Sequence, residues 1–129
     1  MPHHHKLRVL IVDDEYIVRD ALAIALRTIN GIEVVGQAQN GLEAIEQHKR
    51  LLPDVVLMDA EMPRVDGVTA TRQIFKSNAH SRVIALMTFG DDPLLQNAML
   101  DAGACLCLSK QDSLETLERA LKTIAHTTH

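Results

Sequence analysis

The stretch LRVLIVDD, Leu7 to Asp14, decides the fold, because it is an unbroken apolar run that stops on two aspartates. A run rich in Val, Ile and Leu without polar alternation is typical of a strand buried on both faces, as in a parallel sheet. From Glu15 to Ile29 the apolar positions recur at helical spacing, and Asn30-Gly31 is a helix-ending signal. The stretch therefore predicts the first strand and helix of an α/β protein.

The same alternation repeats to the end of the chain. Further strands are predicted over 32–39, 54–59, 82–88 and 104–109, and helices over 42–51, 68–77, between Pro93 and Gly103, and from Asp112 or Ser113 onward. Asp91 or Asp92 is expected to cap the fourth helix. In the last helix Leu114, Leu117, Leu121 and Ile124 form a stripe that we expect to face the core. Five strand–helix units predict a parallel sheet with helices on both faces.

Length and composition bound the classes of function. A chain of 129 residues, 47% hydrophobic and 23% charged, fits one globular domain, which we place at residues 7–126. Residues 1–6 are interpreted as an extension, with His3 to His5 the remnant of a purification tag. The net charge of -4 and the scarcity of aromatic residues exclude a general nucleic-acid surface. Without an apolar run of membrane length or a signal peptide, we expect a cytoplasmic protein with free cysteines.

Chemically capable residues follow four of the five predicted strands. Asp13 and Asp14 follow the first, Asp59 the third, Thr88 the fourth and Lys110 the fifth. In parallel sheets these carboxyl ends meet at one edge, where ligands bind. Two carboxylates about 5 Å apart repel by roughly 3 kcal/mol at an effective dielectric near 20, so three of them require a cation.

Mg²⁺ is the cation that suits this edge, because it binds through one or two carboxylates, waters and a phosphoryl oxygen. The lysine ammonium supplies a second positive charge and the threonine a neutral donor. Together they predict a cradle for a phosphoryl group, with an aspartate as its acceptor.

The motifs VDDE, LMDAEMPRVDG, LMT and LSK, in this order, closely resemble the receiver domain of two-component response regulators. The resemblance implies a flavodoxin-like, doubly wound sheet of five parallel strands in the order 2-1-3-4-5, in three layers with five helices. It implies that Asp59 accepts a phosphoryl group from a histidine kinase or a small phosphodonor. Mg²⁺ would be bound by Asp14, Asp59 and the backbone carbonyl of Glu61, and by Asp13 mainly through water. Thr88 would bond the phosphoryl group and Lys110 would form an ion pair with it.

Two positions depart from the usual receiver pattern. Cys107 stands where receivers usually carry an aromatic switch residue, and the bulky Phe89 follows Thr88. Thr88, Phe89 and Cys107 are therefore the expected switch positions. Gln111, in place of a common proline, favours the subfamily with a helix-turn-helix output (NarL, FixJ and LuxR type), absent from this chain. That subfamily implies transcriptional control through DNA bound by the output domain, and a homodimer on phosphorylation is a further expectation.

Two other functions stay open, and the cysteine pair has a structural interpretation. An aspartate-nucleophile phosphatase would use Glu61, two residues after Asp59, as its second acid, but 129 residues leave no room for a cap domain. A receiver-shaped docking module that is never phosphorylated is favoured by the missing aromatic residue. The pair Cys105 and Cys107 lacks the further ligands of a zinc site, and we expect it to lie in a buried strand.

Overall fold

The computed structural model describes residues 6–62, 65–88 and 92–127. Within these ranges strands and helices alternate from the first element to the last. Their bounds are β1 Leu7–Val12, α1 Tyr16–Arg27, β2 Ile32–Ala38, α2 Gly41–Leu51, β3 Val55–Asp59, α3 Gly67–Ser77, β4 Arg82–Met87, α4 Pro93–Ala102, β5 Leu106–Ser109 and α5 Leu114–Thr127. None of the helices in these ranges is long and apolar enough to cross a membrane.

The five strands form one parallel sheet in the order β2-β1-β3-β4-β5, which confirms the predicted doubly wound fold. The order reverses between β1 and β3, whose residues Val12 and Met58 are register partners. Asp13 and Asp59 follow these two partners, so the reversal point carries the acidic residues. This is where ligands bind in open α/β sheets.

Alternate side chains of the inner strands supply two separate cores. Leu10, Val56 and Val83 face the side covered by α2, α3 and α4, while Ile11, Leu57 and Ile84 face the side covered by α1 and α5. All six are fully or almost fully buried. A sheet covered on both faces needs apolar residues at every position, which explains the unbroken run Leu7 to Val12.

Three helices that begin near the carboxyl edge of the sheet are capped by a side chain. Asn40 accepts from the backbone N–H of Glu43, Asp66 caps α3 and Asp92 caps α4. The prediction that a residue at 91 or 92 caps α4 is therefore confirmed for Asp92, and Asp91 lies outside the described residues. Element ends differ from the predictions by one or two residues, which is the usual variation of helix and strand termini.

The prediction of a buried strand around the two cysteines is wrong. Cys105 is exposed and precedes β5, while Cys107 is half-buried. The reason is that β5 is an edge strand, paired only with β4, so one side of it has no neighbour. The predicted stripe of α5 is confirmed at Leu117, Leu121 and Ile124, which are buried, but Leu114 at the helix start is 38% exposed.

Candidate functional site at the carboxyl edge of the sheet

Three carboxylates meet at the edge where β1 and β3 end. One oxygen from each of Asp13, Asp14 and Asp59 lies within 4.8 Å of the others, close to the separation of about 5 Å for which their repulsion was calculated above. Asp59 is 0% exposed and Asp13 is 1% exposed, whereas Asp14 is open to solvent. The structure therefore brings the three predicted acidic residues together, two of them without access to screening water.

Lys110 joins the two buried carboxylates. Its Nζ lies 2.7 Å from Oδ2 of Asp13 and 3.2 Å from Oδ2 of Asp59. Among the described residues no other group bonds to these two oxygens, so the ammonium of Lys110 is what compensates them. One lysine against three carboxylates leaves the cluster short of positive charge.

The environment of Asp59 disfavours its ionised form. Burial raises the pKa of its carboxyl group from 3.8 to about 7, and the negative charge of Asp13 adds to this. The backbone N–H of Glu61, which donates to Oδ1 at 3.0 Å, and the ammonium of Lys110 act in the opposite direction. A second cation at this site would therefore favour the carboxylate.

The ammonium of Lys110 is stabilised by the same contacts. Burial alone would lower its pKa, but the bond to Asp13 and the negative charges of Asp59 and Asp13 outweigh burial and raise it. Lys110 is thus held charged between the two carboxylates. Its backbone N–H donates to the carbonyl of Met87 at 2.9 Å, which fixes the start of the loop after β5 against the end of β4.

Close backbone packing positions Asp59 and the residues after it. The N–H of Ala60 donates to the carbonyl of Leu86, and α3 begins so near that a Cβ on Gly67 would lie 2.3 Å from the carbonyl oxygen of Asp59. Only glycine permits this approach. Asp66, directly before this glycine, caps α3 by accepting from the N–H of Thr69 at 2.7 Å.

The predicted switch residues are placed differently. Thr88 directly follows β4 at the same edge and is partly exposed, while Phe89 lies outside the described residues. Cys107 packs against the core on the α4 side, and its Sγ lies 3.8 Å from the carbonyl oxygen of Gln96 in that helix. Burial raises the pKa of the Cys107 thiol. A small thiol thus contacts Gln96, in the first half of α4, where a ring was expected from the resemblance.

Arg19 is a residue at this edge that reasoning from the sequence missed. It lies just beyond the first turn of α1, and its Nη1 donates to the backbone carbonyl of Asp13 at 2.8 Å. A positive side chain near a helix N-terminus is disfavoured by the helix dipole, and that unusual placement is the signal that was available.

Comparison with known proteins identifies the family to which the chain belongs. Residues 9–122 match the sequence model of the response regulator receiver domain, and the chain belongs to this family. It is 37% identical over 118 residues to the response regulator GacA of Pseudomonas viridiflava, a match that covers 92% of this chain and 55% of GacA. The chain thus spans about half the length of the curated relatives of this kind.

Solved structures agree with the family assignment. The signal receiver domain of the putative response regulator NarL from Mycobacterium tuberculosis superposes with a TM-score of 0.86 at 30% identity, covering 94% of this chain and 98% of that one. The CheX-CheY-BeF3-Mg+2 complex from Borrelia burgdorferi contains a chain that matches with a TM-score of 0.82 at 27% identity, covering 92% and 90%. The predicted receiver fold and the predicted family are therefore confirmed.

Proposed function

We propose that Asp59 is the phosphoacceptor of this receiver domain and that Mg²⁺ supports the transfer. The observation that carries the proposal is the buried Asp59 carboxylate, held between the negative charge of Asp13 and the ammonium of Lys110. A carboxylate in this environment is raised in energy, and its Oδ2 is not bonded to the backbone. The functional unit is proposed to be residues 7–126.

Oδ2 is the proposed nucleophilic oxygen of Asp59, since Oδ1 is occupied by the N–H of Glu61. Oδ2 bonds to phosphorus as the bond from phosphorus to the donor nitrogen or oxygen breaks, and the leaving group keeps that electron pair. Lys110, now 3.2 Å from Oδ2, is positioned to pair with the negative phosphoryl oxygens after transfer. Thr88 would donate its hydroxyl to one of those oxygens from the end of β4.

The residues present fit a Mg²⁺ ion. The three carboxylates offer oxygens within 4.8 Å of one another, and carboxylate oxygens are the ligands that Mg²⁺ prefers. Asp14 and Asp59 would be direct ligands with the backbone carbonyl of Glu61, and Asp13 would act mainly through water. Bound Mg²⁺ would neutralise charge on the carboxylates and on the phosphoryl group.

The domain is proposed to act as a switch rather than as an enzyme that turns over external substrates. A histidine kinase is the proposed donor. The CheX-CheY complex from Borrelia burgdorferi, which contains a chain similar to this one, includes Mg²⁺. The contact of Cys107 with α4 makes the segment from Thr88 to β5 the proposed route of the response, together with Phe89. We further propose homodimer formation on phosphorylation and transcriptional control through a DNA-binding output, which fits a chain that matches only 55% of GacA.

Acetyl phosphate provides a direct test without the cognate kinase. We expect a phosphorylated species by intact mass spectrometry with acetyl phosphate and Mg²⁺, and its loss in Asp59→Asn or on addition of EDTA. Asp101→Asn is the matched control, since it removes an exposed aspartate of α4 by the same change. Labelling that persists in Asp59→Asn would reject Asp59 as the acceptor, and no labelling by acetyl phosphate or any kinase would support a docking module.

A further inference from the structure

Two side chains of α1 contact each other beside the loop that carries the acidic cluster. The guanidinium of Arg19 donates to the backbone carbonyl of Asp13 at 2.8 Å, and its Cζ lies 5.6 Å from the centre of the Tyr16 ring. That distance is within the range of a cation–π contact. Arg19 is thus held from one side by the ring and bonded on the other to a backbone atom of the site.

The position of Arg19 in its helix is otherwise unfavourable. The N-terminus of α1 carries a partial positive charge, has no acidic residue in its first turn, and its N-cap Glu15 makes no side-chain capping bond. A cation there gains nothing from the helix. Among the described residues, the guanidinium of Arg19 contacts the Asp13 carbonyl and the Tyr16 ring.

Hydrogen bonds and an ion pair fix several atoms of Asp13. Among the described residues, Arg19 is the bonding partner given for its backbone carbonyl oxygen. The backbone N–H of Asp13 donates to Ala38, its Oδ1 accepts from the N–H of Glu15 at 2.9 Å, and its Oδ2 pairs with Lys110. The Asp13 carbonyl shares a rigid, planar peptide unit with the N–H of Asp14. Fixing that oxygen therefore fixes the orientation of the peptide that leads into Asp14.

We propose that Arg19 is a positioning residue for the metal ligand Asp14. Asp14 is exposed, so packing does not hold its side chain, and its direction depends on the peptide before it. Arg19 orients this peptide through the Asp13 carbonyl, and Tyr16 limits the freedom of the guanidinium. This inference rests on the proposed Mg²⁺ site and extends it to a residue that would not touch the ion.

Positioning and simple charge predict opposite effects. If Arg19 acted only as a nearby positive charge, removing it would strengthen Mg²⁺ binding, because like charges repel. If it positions Asp14, removing it weakens binding, as loss of outer contacts does in other metal sites, by about tenfold. The sign of the change in Kd therefore decides between them.

Arg19→Met is the main variant, because Met keeps a long apolar stem against Tyr16 and removes the donor. Arg19→Lys restores the charge and a donor, and Arg27→Ala removes an exposed arginine from the last turn of the same helix as the matched control. Kd for Mg²⁺ is measured from the fluorescence of Tyr16, the single tyrosine in a chain without tryptophan. Electron paramagnetic resonance of free Mn²⁺ gives a Kd that does not depend on the ring.

We expect Kd to rise about tenfold in Arg19→Met, to move back toward the wild-type value in Arg19→Lys, and to stay within about twofold in Arg27→Ala. The rate of labelling by acetyl phosphate should recover to within about twofold at saturating Mg²⁺, since the transfer residues are untouched. A general packing defect would not be corrected by added metal.

A folded Arg19→Met protein with an unchanged or lower Kd would overturn the positioning role. If thermal melting shows that Arg19→Met does not fold, Arg19→Gln, whose shorter side chain also loses the bond, is judged by the same criterion. Absence of Mg²⁺ binding by the wild-type protein would instead reject the proposed function, so the two failures are distinguishable.

Discussion

Replacing Asp59 by Asn should stabilise the fold at neutral and alkaline pH in the absence of metal. The carboxyl group is completely buried, and its pKa is raised from 3.8 to about 7. Between these pH values the folded protein holds a proton that the unfolded chain has lost, so the free energy of unfolding falls as pH rises and levels off above about pH 7. An amide at this position does not titrate and removes that loss.

The size of the effect follows from the pKa. Raising the pKa from 3.8 to about 7 corresponds to roughly 4 kcal/mol, which is the upper limit of the gain in unfolding free energy. The raised pKa already includes the attraction of Lys110. The gain is reduced because the amide oxygen accepts from Glu61, so the amide NH2 takes the place of Oδ2, 3.2 Å from the ammonium of Lys110, and two donors face each other. We therefore expect a gain of about 2 kcal/mol at pH 8, equivalent to a rise in Tm of about 5–10 °C.

Urea denaturation of both proteins at several pH values, in EDTA, measures this. The difference between Asp59→Asn and wild type should be near zero at about pH 4, grow toward pH 7 and then stay constant. Added Mg²⁺ should reduce this difference in unfolding free energy, because it stabilises the wild-type protein. The control Asp101→Asn, at an exposed site, should show no comparable gain in stability. A variant that is less stable than wild type at pH 8, or a difference independent of pH, would refute the argument that burial of the charged group is costly.

Two further predictions concern other parts of the fold. Gly67→Ala should lower the free energy of unfolding by at least ~2 kcal/mol in urea denaturation, because the added Cβ would collide with backbone atoms of Asp59 and Ala60. An unchanged urea midpoint would show that α3 can shift away without cost. Burial lowers the pKa of His48, whose Nε2 lies 2.6 Å from Oγ of Ser81, below its ordinary value of 6.5. Because the unfolded chain binds a proton at His48 below about pH 6.5 and the folded protein does not, the free energy of unfolding should fall as the pH drops below that value. This decrease is measured in the Asp59→Asn background, and His48→Gln should abolish it. A decrease that persists in His48→Gln would show that another group causes it.

The sheet and the acidic cluster could be predicted from sequence because each depends on a strong local signal. An unbroken apolar run such as Leu7 to Val12 has few alternatives to a strand covered on both faces. Once the strands are parallel, residues directly after them, such as Asp13 and Asp59, must lie at one edge. Neither step needs knowledge of which side chains touch.

The misjudged features depend on position in the sheet and on long-range contacts. Nothing in the apolar letters around Cys105 shows that β5 has a neighbour on one side only, so its exposure could not be predicted from them. Arg19 was missed for a related reason, because its partner is a backbone carbonyl six residues away, and a carbonyl is present at every residue. Such contacts appear only when the helix is placed against the loop.

If Asp59 is the phosphoacceptor, as we propose, the energetic cost of its burial also explains how the domain would respond to phosphorylation. An exposed carboxylate would be compensated equally well by water before and after phosphorylation, and little free energy would be released by the change. Asp59 is 0% exposed and shares one ammonium with Asp13. Water therefore cannot compensate a change in charge at this site, and neighbouring protein groups must move to do so. Lys110 is joined through its backbone to Met87, next to Thr88, so its response acts on the end of β4 and on β5. The energetic cost of the unmodified cluster and the proposed switching of the domain thus have a common cause, the burial of Asp59.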